Sequence, residues 1–360
     1  MDDVITLGIG EPNFVTPQHI MNSAVDSLRR GETAYTSNSG TIELRQAISR
    51  YIQRLYGLEY DPCNQILVTV GVSEALWLAL KAIVNPGDEV LVVEPCFVAN
   101  AAAVEMVGGV PVHVDTYVEN DFQVTGADLE RSVTARTKAI LISYPNNPTG
   151  AVLSRERLLE IAAVADRHDL VVISDEIYER LVYDVDHICF AALPGMCERT
   201  ILLSGMSKSF AMTGWRIGYA TAPVEIMEAM RKLHQYLIMS APTMGQVAAL
   251  EALEHGEDDV QSMRAAYDRR RRLLVEGFNE LGLTCFEPRG AFYTFPSIEV
   301  TGMTDEVFCE RLLHEARVAV IPGSAFGRSG AGFVRASYTN SDDNLYEALV
   351  RLRRFMEHHG

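Results

Sequence analysis

The sequence predicts an α/β fold: a large domain built on a mostly parallel sheet between helices, with a smaller α+β domain. Three features point there. Short β-branched runs alternate with longer stretches of helical periodicity. The runs are continuously apolar rather than alternating, as expected of strands covered on both faces. After about residue 222 the alternation gives way to long helices and then to a smaller mixed region. The expected division is 26–259 for the large domain, with 1–25 and 260–360 forming the small one.

The elements follow in order. ILVTV (66–70) reads as a buried strand, and 73–84 carries apolar residues at helical spacing. NPGD (85–88) is a turn, and EVLVVE (89–94) is the next strand. Then come a helix over 98–107, strands over 110–114 and 138–143, a helix over 155–168, and strands over 170–174, 200–204 and 216–221. Helices over 223–238, 242–254 and 260–281 lead to strands near 291–296, 318–321 and 332–336, beside helices over 304–316 and 341–357. The arginine run Arg269–Arg272 reads as a solvated helix face.

At 360 residues the chain is long enough for about two domains of ~150 residues. With 31 basic against 48 acidic side chains, its formal charge is −17, which argues against general nucleic-acid binding. The six cysteines form no C-x-x-C pair and the nine histidines no H-E-x-x-H, so neither a disulfide framework nor a metal site is expected. No apolar run is long enough to span a membrane, and the first residues are acidic where a signal peptide is basic. A cytoplasmic protein is expected.

In an open parallel sheet, ligands bind beyond the carboxyl ends of the strands. Gly71-Val72-Ser73 follows the first strand and opens a helix, which suits an anion, although a serine there also serves as a plain cap. Tyr144 to Gly150 (YPNNPTG) is a turn that aims Asn147 outward, and a turn alone needs neither of its asparagines. Asp175 stands at another strand end, followed by Tyr178. Lysine is scarce here: Lys81, Lys138, Lys208 and Lys232 are the whole set. Lys208 alone sits among small residues just after a strand, where a desolvated amine acts as a nucleophile. Eight positions on, Arg216 offers a fork for phosphate or carboxylate. An amine, an acid, ring-oxygen donors and an anion site together are what pyridoxal phosphate requires.

LGIGEPNF, AYTSNSG, TVGVSEAL, NNPTG, SDEIY and SKSFAMTGWRIGY occur in one order along the chain. In this the sequence resembles the class I/II aminotransferases, pyridoxal-phosphate enzymes of fold type I, from Ile5 to the C-terminus. TVGVSEAL and EPCFV are similar to the subgroup of prokaryotic aspartate, aromatic and diaminopimelate-type aminotransferases.

The resemblance implies roles. Lys208 would form the Schiff base with pyridoxal 5'-phosphate and shuttle the proton. Asp175 would pair with the pyridine nitrogen, and Tyr178 and Asn147 would donate to the ring oxygen. Phe97 would stack on the ring, although core packing also explains it. Val72 through its backbone, Ser73, Ser207 and Arg216 would hold the phosphate. Where the family often has a hydroxyl three residues before the lysine, this chain has Gly205. Tyr35 would reach the phosphate of a neighbouring subunit, implying a homodimer with shared sites. Arg335 would grip the substrate α-carboxylate, and Gly10 would let the N-terminal segment approach the substrate. Family members usually carry a further N-terminal arm around the partner; this chain begins almost at the G-x-G-E-P motif, a departure that bears on dimer stability and not on the chemistry.

The implied reaction is ping-pong transfer of an amino group from an L-amino acid to a 2-oxo acid, with 2-oxoglutarate the expected acceptor and an acidic or broad donor range. A C–S β-lyase on the same scaffold would share every residue named, and a non-catalytic ligand-sensing domain is a more distant alternative. Specificity is expected near Ile9, Phe14, Cys96–Val98, Phe292 and Tyr293, whose aromatics core packing explains equally well.

Overall fold

The computed structural model describes residues 3–359. Strand β1 (Ile5–Thr6) and helices α1 (Gln18–Arg29) and α2 (Ile42–Tyr56) come first. The alternating part then runs β2 (Ile66–Thr69), α3 (Gly71–Ile83), β3 (Glu89–Glu94), α4 (Ala99–Met106), β4 (Val110–Asp115), α5 (Gly126–Ser132), β5 (Thr137–Ser143), α6 (Arg155–Arg167), β6 (Val171–Asp175), β7 (Thr200–Gly205) and β8 (Gly218–Thr221). Helices α7 (Val224–Leu237), α8 (Thr243–His255) and α9 (Glu257–Glu280) lead to β9 (Tyr293–Thr294), α10 (Asp305–Arg311), β10 (Val318–Ala319), β11 (Ile321–Pro322), β12 (Val334–Ser337) and α11 (Asp342–His359).

Seven strands form one sheet in the order β2-β8-β7-β6-β5-β3-β4. Strands β4, β3, β5, β6 and β7 are parallel, while β8 runs antiparallel to both β7 and β2. The sheet is therefore mostly parallel, as expected. Strand β8 reverses because residues 206–217, which join it to β7, include no crossover helix. Successive side chains of a strand serve opposite faces: Val90 and Val92 pack with α3 and α7, Leu91 and Val93 with α6. Every residue of β3 and of β7 is buried, which is why these strands read as unbroken apolar runs.

The C-terminal region forms a second layer. Strands β11, β12 and β9 make a small antiparallel sheet, and β1 pairs in parallel with β10. Ile5 and Leu7 share a core with Tyr267, Phe278, Phe292 and Phe355, whereas Ile20 and Ala24 of α1 pack with α2 and α8 on the sheet. Among the described residues no helix is long and apolar enough to cross a membrane.

Several expected elements change. The strand expected from residue 216 begins at Gly218, because Arg216 adopts a left-handed φ of 58°. The strand near 291–296 shortens to β9, and 318–321 divides between β10 and β11. The helix over 304–316 is α10 followed by a π-helical turn, Leu312–Ala316. Helices α1, α2 and α5 were not anticipated; α5 is short and rests on a capping box between Thr125 and Asp128.

The arginine run is a correction. Arg269 and Arg272 are exposed, but Arg271 is fully buried. Its guanidinium pairs with Asp184, Asp268 and Glu287 at 2.8, 2.7 and 2.8 Å, donates to the Pro288 carbonyl at 3.1 Å and lies over the Tyr183 ring. Arg271 thus ties α9 to the segment that follows the β6 strand end. Arg271→Met takes the guanidinium from Glu287 and the Pro288 carbonyl, while Arg272 still reaches Asp184 and Asp268, and should lower unfolding free energy by ~2–3 kcal/mol. Arg272→Met, at an exposed position, should leave the urea denaturation midpoint nearly unchanged, and the two midpoints compare the pair.

Candidate active site

A cavity of about 750 Å³ opens at the carboxyl ends of β5, β6 and β7, beside the first turn of α3. Gly10, Val72, Ser73, Phe97, Asn147, Asp175, Tyr178, Ser207, Lys208, Arg216 and Arg335 all line it. Tyr35 does not; its side chain is 82% exposed on the surface. Of the expected specificity residues, Phe97 and Tyr293 line the cavity, whereas Ile9, Phe14, Cys96, Val98 and Phe292 lie outside its wall. Phe97 is half-exposed in the wall, so core packing does not account for it.

The α3 end of the site is set by glycine. Gly71 has φ +74°, and a Cβ on it would overlap the Arg216 guanidinium. A Cβ on Gly218 would lie 2.6 Å from the Gly71 carbonyl carbon, and one on Gly205 2.8 Å from the Gly218 Cα. The helix start therefore rests directly on strand backbone. No side chain caps α3 at Val70; instead Glu74 accepts from the Val70 N–H at 2.5 Å. Ser73, at the third helical position and exposed, is thus not the N-cap. The first-turn N–H groups have no acceptor within the helix, which leaves Val72 and Ser73 as donors at the cavity wall.

The YPNNPTG turn divides its two asparagines. Asn146 is buried and serves the turn itself: its amide donates to the Pro95 and Ser143 carbonyls, and its oxygen accepts from the Thr149 N–H and hydroxyl. The turn does need one asparagine, contrary to expectation. Asn147 faces the cavity, where its oxygen accepts from Arg335 Nη1 at 2.8 Å.

Asp175 ends β6 fully inside the protein. Burial pushes its carboxyl up to about 7, opposed by the Ile177 N–H that it accepts at 3.1 Å and reinforced by neighbouring Glu176. Tyr178 shares a hydrogen bond with Tyr293 between their hydroxyls at 2.8 Å, and burial holds its phenol well above the ordinary range. Burial draws the Lys208 amine down to about 8, with Glu11 pulling it up and Arg335 down. Its Nζ donates to the Gly10 carbonyl at 2.6 Å and lies 5.6 and 5.5 Å from the centres of the Tyr178 and Phe292 rings.

Arg335, on β12, is buried between the Tyr293 and Phe326 rings, 4.5 and 4.8 Å from their centres. Besides Asn147 it donates to the Gly8 carbonyl at 2.7 Å, and its Nε has no partner. The carbonyls of Gly8 and Gly10 belong to a strap, residues 7–16, that runs from β1 across the cavity to the large layer. There Thr16 donates to the Ala211 carbonyl and accepts from Trp215, and Glu11 accepts from Thr213 at 3.2 Å. A Cβ on Gly10 would fall 2.6 Å from the Tyr293 hydroxyl, so the strap passes at backbone distance. Glu11 and Thr213 line the cavity but were not anticipated; the acid inside G-x-G-E-P was the available signal.

A family model described as aminotransferase class I and II matches residues 2–352. A Bacillus subtilis protein named only as an aminotransferase is 54% identical over 356 residues, covering 99% of this chain and 92% of its own. The aspartate aminotransferase of Pyrococcus abyssi is 48% identical over 359 residues, with the same two coverages. The crystal structure of an aromatic aminotransferase from Pyrococcus horikoshii superposes with a TM-score of 0.97 at 47% identity, covering 99% of this chain and 97% of that one.

The buried amine leaves a signature in stability. Lys208 binds its proton less readily folded, at about 8, than unfolded, at the ordinary 10.5. Folding therefore carries the full cost of the buried charge below pH 8, and stability recovers as pH rises from 8 towards 10.5. Lys208→Met should accordingly raise the thermal midpoint of the cofactor-free protein at pH 7, by a margin that shrinks between pH 8 and 10. A gain that stays constant across that window would show that folding leaves the amine in its ordinary range.

Proposed function

The chain belongs to the class I and II aminotransferases and moves an amino group from an amino acid to a 2-oxo acid; we propose that it does so with pyridoxal 5'-phosphate, in this cavity, by a ping-pong cycle. Of the two reactions that the sequence left open, transamination is the one its relatives carry. The observation that supports the cofactor is the convergence of Lys208, Asp175 and Arg335, three ionisable groups of different kinds, on one largely buried cavity.

The residues fit the group. Asp175 is a carboxyl that burial pushes up to about 7, and a protonated ring nitrogen would supply a partner for its charged form. Gly71 and Gly218 keep Cβ atoms out of an anion cradle formed by the Val72 and Ser73 N–H groups, Ser207 and Arg216. Tyr178 and Asn147 would donate to the ring oxygen, and Phe97 would cover one ring face. When bound, the cofactor supplies an electron-withdrawing ring that takes up the electron pair left as the substrate Cα loses its proton.

The chain's own groups do the rest. Asp175 keeps the ring nitrogen protonated. Lys208, whose amine is neutral in a useful fraction near neutral pH, would take the Cα proton and deliver it to the cofactor's C4′. Arg335 grips the α-carboxylate, exchanging the Gly8 carbonyl for a charged partner. Gly10 lets the strap cover the reacting centre and exclude water. We assign a broad donor range with 2-oxoglutarate as acceptor.

The proposed division is a large domain of 26–259 and a small one of 1–25 and 260–360, with one correction: α1 (Gln18–Arg29) packs on the large domain, so the N-terminal boundary falls before residue 18. A homodimer is proposed on the resemblance, with Tyr35 reaching the partner's phosphate site; Tyr35, Tyr236, Leu237, Ile238 and Met239 are large apolar side chains left exposed in the single chain. The unpaired thiols suit the cytoplasm.

The test is the absorption spectrum of the holoenzyme during addition of single amino acids. The cofactor band should bleach with a true donor and return with 2-oxoglutarate. Pyruvate release from a cysteine conjugate without an acceptor would instead mark a lyase. Lys208→Ala should retain the cofactor through its phosphate contacts but lose turnover by at least about 10³-fold.

A further inference from the structure

Tyr35 is exposed, yet both of its neighbours are tied down. Thr243 Oγ1 donates to the Ala34 carbonyl at 2.8 Å, and Gln246 Nε2 donates to Thr36 Oγ1 at 3.0 Å. Gln246 is fully buried and spends the rest of its amide nearby: Nε2 also donates to the Ala241 carbonyl at 2.9 Å, and Oε1 accepts from the Thr41 N–H at 2.8 Å. One buried side chain therefore fixes the segment following Tyr35 and the start of α2. Thr243 and Gln246 both belong to the first turn of α8.

Of the two residues between them, Gly245 packs against the segment that bears Arg216. A Cβ there would lie 2.9 Å from Ile217 Cδ1 and 3.3 Å from the Trp215 carbonyl. That segment carries Arg216, the cation of this subunit's own anion cradle. The turn thus holds two stretches of chain, one bearing a group that lines the local cavity and one bearing a phenol that stands largely exposed on the surface.

Ordering an exposed segment costs backbone entropy, about 1–2 kcal/mol per residue, and Tyr35 buries little of its surface in return within this chain. We propose that the first turn of α8, through Thr243 and Gln246, is the platform that positions Tyr35 for the anion site of a second copy. The same turn seats the Arg216 segment, so it joins the cofactor sites of two subunits through a single rigid element. Thr243 and Gln246 are positioning residues in this scheme: they act on the cofactor phosphate only through Tyr35. The inference rests on the reading that Tyr35 completes the partner's phosphate site.

The experiment follows pyridoxal phosphate loss from full-length holoenzyme after dilution into a trap. Tyr35→Phe should speed loss about tenfold, the worth of one hydrogen bond to a charged group. Thr36→Val with Thr243→Val, which spares the Gln246 bond to α2, should speed loss severalfold. Gln246→Glu, which keeps the acceptor for Thr41, should do the same. Combined with Tyr35→Phe, neither change should add more than a small increment. Equal acceleration with and without Tyr35→Phe would overturn the inference while leaving the role of Tyr35 intact, as would no acceleration from the α8 variants. No effect of Tyr35→Phe itself would remove the reading of Tyr35 and the inference with it.

Discussion

At the carboxyl edge of the sheet, a helix start lies against strand backbone with no side chain between them. Gly218 meets the backbone of Gly71 and Val72, and Gly205 meets Gly218. Because these contacts are between backbones, the positions of the neighbouring groups follow from chain geometry rather than from side-chain packing. The first-turn N–H groups of α3, the Arg216 guanidinium above Gly71, and Ser207 and Lys208 just beyond β7 all radiate from this point. Arg216 adopts its left-handed conformation where β8 must begin close against the helix. A larger residue at any of the three glycines would separate the anion cradle from the amine that works beside it.

The cavity's charges are the second consequence. Burial opposes ionisation of Asp175 and protonation of Lys208 alike, so the fold carries two groups displaced in opposite directions. Arg335 is stacked between two rings with one N–H unpartnered. None of these serves folding well. They fit a site that is relieved when a cationic ring and an anionic substrate arrive, and such a site gives up stability for readiness.

Legibility in the sequence divides along physical lines. The central strands were readable because burial on both faces leaves an unbroken apolar run, as in β3. Asp175, Asn147 and Lys208 were readable because polar residues at strand ends stand out against that background. The direction of β8 was not, since its apolar run looks like that of a parallel strand and only the missing crossover distinguishes it. The burial of Arg271 was illegible because its partner Asp184 lies far away in sequence, and local periodicity carries no information about an ion pair closed by the fold. Asn146 and Asn147 look alike in sequence, and only the turn decides which one it consumes. The strap was half legible: G-x-G-E-P marked a close approach, but the groups that Lys208 and Arg335 contact there are carbonyls, which leave no trace in residue identity.

The strap also shows why a second layer is needed for the chemistry. Strand β1 pairs with β10, and the chain then crosses the cavity, so the Gly8 and Gly10 carbonyls are carried by the same layer as Arg335. These carbonyls accept from Arg335 and Lys208. In the proposed reaction a substrate carboxylate would take the place of the first. Because the two carbonyls lie two residues apart on one segment, the strap holds the arginine and the amine in one relation, and the second layer thereby sets the distance between the group that would bind substrate and the group that would move its proton.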